Sequence, residues 1–462
     1  MTTPLLLILV AALAFLATHV AYEWLAKRLL IVSGAEYLIL GVLLGPQVTG
    51  LFTPAAIEAF QPIAILGIGW MGITAALPLR LQRLVRIPAV HYRLALVEAI
   101  ATLALVTAGA VSALHVAFEV DVAMALAPAL CLGAIAVAST PAGLDVAYGD
   151  QRNDSRRRAP VLLQIEVANG MDAFLSVLAF GIMIAMMHVA APVMIRALTT
   201  TEWVVVTLGI GAVGGTLFHL FLGNERSPDR LFISLGGAVI LTSGAAAYLN
   251  LSPTLAAFVM GVILVNSLRH TGPVEEVLRG AERPLYYVLL LLAGASWAPA
   301  SNVVWWLVII HYVVLRTLAK LWGTGIVTWL NGAQSEVGLD WGRALIGQGR
   351  LTIALALDYS RRGLPYGDVI FTCAAVSVVF TEFFAARFVR SVAAPLVAPL
   401  ETLSATTEAV VGTVTETMTH AIPGFLRQER GESRPDSESR SDSHSIAHSV
   451  SHSDSPSDDG AR

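Results

Sequence analysis

The chain has 462 residues, of which 56% are hydrophobic and 13% charged, with a formal net charge of −4 and a mean hydropathy of +0.70. Soluble globular proteins carry about 25% charged residues, so a soluble enzyme, a nucleic-acid binder and a secreted disulfide scaffold are excluded. Apolar runs of about 18–25 residues recur from end to end, each long enough to cross a ~30 Å hydrocarbon core.

The chain therefore reads as an all-α polytopic membrane protein. About thirteen spans are predicted, near residues 4–24, 29–49, 62–80, 94–116, 122–146, 160–187, 202–222, 231–249, 253–268, 284–300, 302–322, 343–360 and 366–390. The first run has no basic stretch before it and is followed by Lys27 and Arg28, so it reads as a retained helix and not as a signal peptide. Cys131 and Cys373 lie inside apolar runs and suggest no disulfide framework. The stretch 323–342 is too polar to span and reads as an interfacial connection. Lys and Arg gather in cytoplasmic loops. Here they alternate by loop: Lys27/Arg28, Arg80–Arg93, Arg152–Arg158, Arg226/Arg230 and Arg269–Arg283, with Lys320 entering the eleventh, while the intervening loops hold only Arg196 and the exceptional Arg361/Arg362. This pattern places the N-terminus outside and the C-terminus in the cytoplasm of a plasma-membrane protein.

Residues 1–390 form the predicted transmembrane domain. Residues 391–427, with Glu401, Glu408 and Glu416, read as a juxtamembrane amphipathic segment. Residues 428–462 are rich in Ser, Asp, Arg and His without hydrophobic periodicity and read as a disordered cytoplasmic tail. His444, His448 and His452 recur there at helical spacing, and in that setting they read as a solvated low-complexity extension, not a metal face.

Thirteen spans divide as six, one and six, the plan of inverted-repeat transporters. Leu40-Gly41-Val42-Leu43-Leu44-Gly45 in the second span parallels Met260-Gly261-Val262-Ile263-Leu264-Val265 in the ninth. The stretch Gly34-Ala35-Glu36-Tyr37-Leu38 through Gly41-Val42-Leu43-Leu44-Gly45-Pro46 resembles the GYLLAGILLGP signature of monovalent cation:proton antiporters. Leu251-Ser252-Pro253-Thr254-Leu255-Ala256-Ala257-Phe258 with Gly261 is similar to their LSPxLGAFxAG segment. Ala138-Ser139-Thr140-Pro141-Ala142 and Gly347-Gln348-Gly349-Arg350 resemble the breaks of their two discontinuous helices. The likeness covers about residues 5–390 and is greatest to the cation:proton antiporter-2 and sodium-hydrogen exchanger families. It implies an inverted repeat with two crossed, interrupted helices, broken at Pro141 and at Gly347/Gly349. It also implies a homodimer and a core that moves to give alternating access.

A charged residue at the bilayer centre costs about 2.5–3.5 kcal/mol on insertion scales, so embedded charge points to function. The sixth span enters near Pro160, which puts Asp172 ~18 Å along the helix and Glu166 ~9 Å shallower. Glu166, Asn169 and Asp172 form a drifting polar stripe on an apolar helix. In the family this helix carries a Glu followed by an Asn-Asp or Asp-Asp pair. Glu166 and Asp172 match the Glu and the ion-binding Asp, while Asn169 and Asp172 are here separated by Gly170-Met171. The resemblance thus sets Asp172, with Asn169, Thr140 and Ser139, as the ion-binding residues. Arg350 lies at the depth of Glu166 and is expected to form with it the core ion pair. Arg316 is the rival partner, itself expected to snorkel toward the cytoplasm. Asp145, Glu36, Glu98 and Glu382 read as caps, local pairs or funnel linings, Asp358 as a solvated partner of Arg361/Arg362, and His311 as a packing residue.

The expectation is a secondary transporter, not an enzyme, exchanging protons for Na⁺ or K⁺ through competition at Asp172. It needs no nucleotide or redox cofactor, no metal beyond the transported cation, and no nucleic acid. An inverted-repeat transporter of another small solute and a non-transporting membrane scaffold or sensor are the alternatives.

Overall fold

A computed structural model of the chain describes residues 34–140, 160–188, 198–222, 225, 227–268, 271–299, 302–332 and 338–381. Within them the expected apolar runs are helical, and no strand occurs among the described residues. The long helices are α1 (Ala35–Leu44), α2 (Gln61–Ala75), α3 (Ala89–Phe118), α4 (Val122–Val137), α5 (Pro160–Met186), α6 (Thr200–Leu222) and α7 (Pro228–Tyr248). There follow α8 (Pro253–Ser267), α9 (Gly272–Ala295), α10 (Val303–Leu330), α11 (Arg350–Ser360) and α12 (Gly367–Thr381). The expected span 4–24, Pro141, Asp145, the arginines at 152–158, Arg196, Arg226, Arg269, Glu382, the 391–427 segment and the tail all lie outside the described residues.

Among the described residues six helical stretches are long and apolar enough to cross a membrane, including Ala89–Phe118, Pro160–Met186 and Val303–Leu330. Large apolar side chains such as Leu126, Val205, Ile233, Leu241 and Ile310 are exposed on the helix surfaces. A face of that kind is what a lipid-contacting surface requires.

The family-like segments have local physical reasons. Pro253 sits in the first turn of α8, where a missing N–H costs nothing, and the Ser252 side chain accepts from the Leu255 N–H. Gly41 and Gly261 both sit where helices nearly touch. A Cβ at Gly41 would collide with the Leu291 carbonyl of α9, and one at Gly261 would come within 2.8 Å of the Ile73 carbonyl of α2.

Two helices depart from their sequence-based bounds. α9 begins at Gly272 and not near 284. Its first turns are amphipathic, with Val274 and Leu278 buried and Glu275 paired to Arg279 at 2.9 Å, so an apolar window overlooks them. α10 does not end at 322: it passes through a π-helical turn, Ala319–Gly323, and continues as α-helix to Leu330. The predicted interfacial stretch is therefore helical at its start. Thr328 near the end of α10 accepts from the Trp341 indole N–H at 2.8 Å.

Two other helices stop inside the protein. α4 has 16 residues and α11 has 11, lengths of about 24 and 16 Å at 1.5 Å per residue. Neither covers a ~30 Å core alone. Residues 138–140 after α4 and 346–349 before α11 are non-helical.

Candidate ion-binding site

A helix leaves its last four carbonyls without intrahelical donors, and the end of α4 is buried away from the surface. The protein supplies side chains. Ser176 Oγ of α5 donates to the Ala134 carbonyl at 2.7 Å, and Gln348 Nε2 donates to the Ile135 carbonyl at 3.2 Å. Arg316 of α10 spreads its planar fork over three more: Nε to Ala136 O at 3.0 Å, Nη2 to Ala138 O at 3.2 Å and Nη1 to Ile346 O at 2.6 Å. The guanidinium thereby joins both interrupted segments. The Thr140 N–H adds a direct bond to the Gly347 carbonyl at 2.8 Å, so the two breaks meet. Arg316 is fully buried, contrary to the snorkelling expected of it, because these carbonyls offer a better partner than the cytoplasmic interface.

Asp172 of α5 reaches this crossing with no exposed surface. Its Oδ2 accepts from Ser139 Oγ in the first break and from the Lys320 ammonium at 2.8 Å. Oδ1 is buried without a hydrogen-bond partner among the described residues. Lys320 also contacts both oxygens of Glu98 on α3, at 3.0 and 3.2 Å, and Thr102 donates to Glu98 Oε1 at 2.8 Å. Glu98, Asp172 and Lys320 are each 0% exposed, so the charges serve one another and not the solvent. Lys320 is thus a core residue and not the loop cation of the charge-alternation argument. It stands four residues after Arg316 on the same helix face, and the π turn, a feature frequent at functional sites, begins beside it.

The other expected residues are placed as follows. Asn169 lies half-buried on α5, one turn before Asp172. Arg350, at the first turn of α11, makes its ion pair with Glu282 of α9 at 2.6 Å, which corrects the expected pairing with Glu166. Equal depth on two helices does not fix the direction each side chain takes, and the amphipathic entry of α9 brings Glu282 closer. Glu166 instead lines a cavity of about 580 Å³ with Arg80, Arg83 and Arg86. That cavity extends along α5 to Gly170 and Met171, directly before Asp172. Asp358 is paired with Arg361 and Arg362 as expected, but is buried, not solvated. Arg362 also donates to the Asn250 and Leu251 carbonyls at 2.7 Å, tying the end of α11 to the α7–α8 link. His311 is exposed on α10.

Sequence reading missed Glu98 and Lys320 as members of the site. A signal existed: Arg316 and Lys320 are two cations one helical turn apart in an apolar run, and Glu98 is an acid inside another.

The non-helical ends of α4 and α11 thus meet beside a buried carboxylate in an all-helical set of described residues with long apolar helices. The model of the family described as "Sodium/hydrogen exchanger, transmembrane" matches residues 74–392. The chain belongs to that family, and is a cation:proton antiporter by membership. Its fold is similar to that of the sodium proton antiporter MjNhaP1 from Methanocaldococcus jannaschii, solved at pH 8. That match has a TM-score of 0.59 at 14% sequence identity and covers 85% of this chain and 98% of the other. No curated protein sequence matches the chain.

Proposed function

We propose that the chain exchanges protons for Na⁺ or K⁺ by alternating access, with Asp172 holding either the cation or the proton. The observation that carries this reading is the fully buried Asp172 carboxylate where the non-helical ends of α4 and α11 meet, with one oxygen lacking a hydrogen-bond partner among the described residues. Asp172 and Glu98 share the single Lys320 ammonium, so the buried site is one positive charge short, and desolvation without a counter-charge is costly. A desolvated cation and a proton both meet that need, and they exclude one another at the same oxygens. Ser139 already touches the carboxylate, and Thr140 and Asn169 are the nearby oxygen donors for the cation's coordination.

The about 580 Å³ cavity running up to Gly170 and Met171 is the cytoplasmic approach in this reading. Its arginines are expected on that side by the charge rule. The Arg316 fork, which binds both segments, supports their moving together. The assembly is a homodimer in the plasma membrane with the N-terminus outside.

Purified protein in proteoliposomes loaded with a pH dye tests the function. Addition of Na⁺ or K⁺ to wild type is expected to change lumenal pH, and Asp172→Asn is expected to abolish the response while the protein remains monodisperse. A wild type that answers neither cation, or an Asp172→Asn variant that still exchanges, contradicts the proposal.

A further inference from the structure

The site contains two carboxylates and one ammonium, and this surplus acid has a specific use. A cation that settles on the open Oδ1 of Asp172 neutralises the carboxylate that Lys320, with its Nζ 2.8 Å from Oδ2, would otherwise have as its anion. Lys320 has no exposed surface and so cannot turn to water. An ammonium left buried without an anion is strongly unfavourable. That cost would fall on cation binding and weaken it. Glu98 changes the balance, since both its oxygens already lie within 3.2 Å of the ammonium, and Thr102 holds one of them in place.

We propose that Glu98 is a positioning residue that keeps Lys320 when Asp172 gives it up, and so sets the affinity for the transported cation. The inference rests on the cation-exchange reading of Asp172. Before binding, Lys320 is shared by both acids. After binding, the Lys320–Glu98 pair stays intact and neutral, and Asp172 is neutralised by the incoming cation. In the alternate half of the cycle a proton on Asp172 does the same. In both halves Lys320 keeps its proton, and one cation replaces one proton on a single carboxylate. Arg316 does not enter the count, because its donors are committed to the carbonyls of Ala136, Ala138 and Ile346.

The apparent KM for the cation, read by the pH dye in proteoliposomes, tests the idea with four chains: wild type, Glu98→Gln, Glu98→Asp, and the double variant Glu98→Gln/Lys320→Gln. Glu98→Gln strands Lys320 and is expected to raise KM about tenfold or more. Glu98→Asp keeps the anion and is expected to stay within about threefold of wild type. The double variant removes both charges together and leaves Asp172 with the same local net charge as wild type. Its KM is expected to fall well below that of Glu98→Gln and to return to the wild-type value or lower. A side chain with a merely structural role, or one that ligates the cation itself, would leave the double variant at least as impaired as Glu98→Gln. That result overturns the inference, as does a Glu98→Gln variant with wild-type KM. If Glu98→Gln does not fold, the double variant against wild type decides: a KM at or below wild type supports the role, and a KM clearly above it refutes the role. A wild type that exchanges no cation defeats the underlying reading instead, a failure visible before any variant is compared.

Discussion

Replacing Arg316 is the sharpest structural perturbation available, because one side chain serves three buried carbonyls on two interrupted segments. In Arg316→Ala the carbonyls of Ala136, Ala138 and Ile346 lose their donor, and each buried orphan costs about 1–3 kcal/mol. The sum is about 3–9 kcal/mol, comparable with the ~5–15 kcal/mol that holds a typical domain folded. Arg316→Lys retains a cation but not the fork. A single ammonium serving one carbonyl leaves two orphans, a cost of about 2–6 kcal/mol. The assay is the thermal loss of the monodisperse species in detergent, with Ile310→Ala, an exposed change on the same helix, as control. The expected order of melting temperature is wild type and Ile310→Ala highest, Arg316→Lys intermediate, and Arg316→Ala lowest. If Arg316→Ala melts with Ile310→Ala, the carbonyls are served some other way and the account of how the two breaks are joined is wrong.

Ser139→Ala removes the hydroxyl donor to Asp172 but leaves Lys320 in place. A hydrogen bond to a charged group is worth about 1.5–3 kcal/mol, so the apparent cation KM in the dye assay is expected to move by about tenfold or more while the melting temperature changes little. An unchanged KM would take Ser139 out of the site. Arg362→Ala takes from Asp358 its closest partner and frees the Asn250 and Leu251 carbonyls. Breaking a buried pair costs about 3–5 kcal/mol, and the expected outcome is a melting temperature lowered by several degrees, with Arg361 alone unable to compensate. A melting curve superimposable on wild type would show that the α11 latch contributes nothing.

Much of this fold is written in hydropathy, because lipid demands long apolar runs and internally satisfied backbone. The spans that became α3, α5, α6 and α7 needed nothing else, and counting depth along α5 pointed to Asp172, which the structure buries. Hydropathy failed where polar groups are satisfied by partners distant in sequence. Lys320 looked like a loop cation since its run seemed to end at 322, yet two acids from α3 and α5 compensate it. Arg316 looked like a snorkelling side chain since nothing in its own helix reveals the uncapped carbonyls of α4 and of residue 346. The partner of Arg350 was misread because depth along a helix says nothing of azimuth, and because the first turns of α9, which bring Glu282, are too charged to register in an apolar window.

Competition between proton and cation at Asp172 is the central claim, and proton release on cation binding measures it most directly. Na⁺ and then K⁺ are added to purified protein in weakly buffered detergent solution, over the pH range in which exchange operates, while an indicator reports released protons. Wild type is expected to release up to about one proton per chain on binding a transported cation, and Asp172→Asn is expected to release none. Cation binding by wild type without proton release, or equal release from Asp172→Asn, would contradict the account.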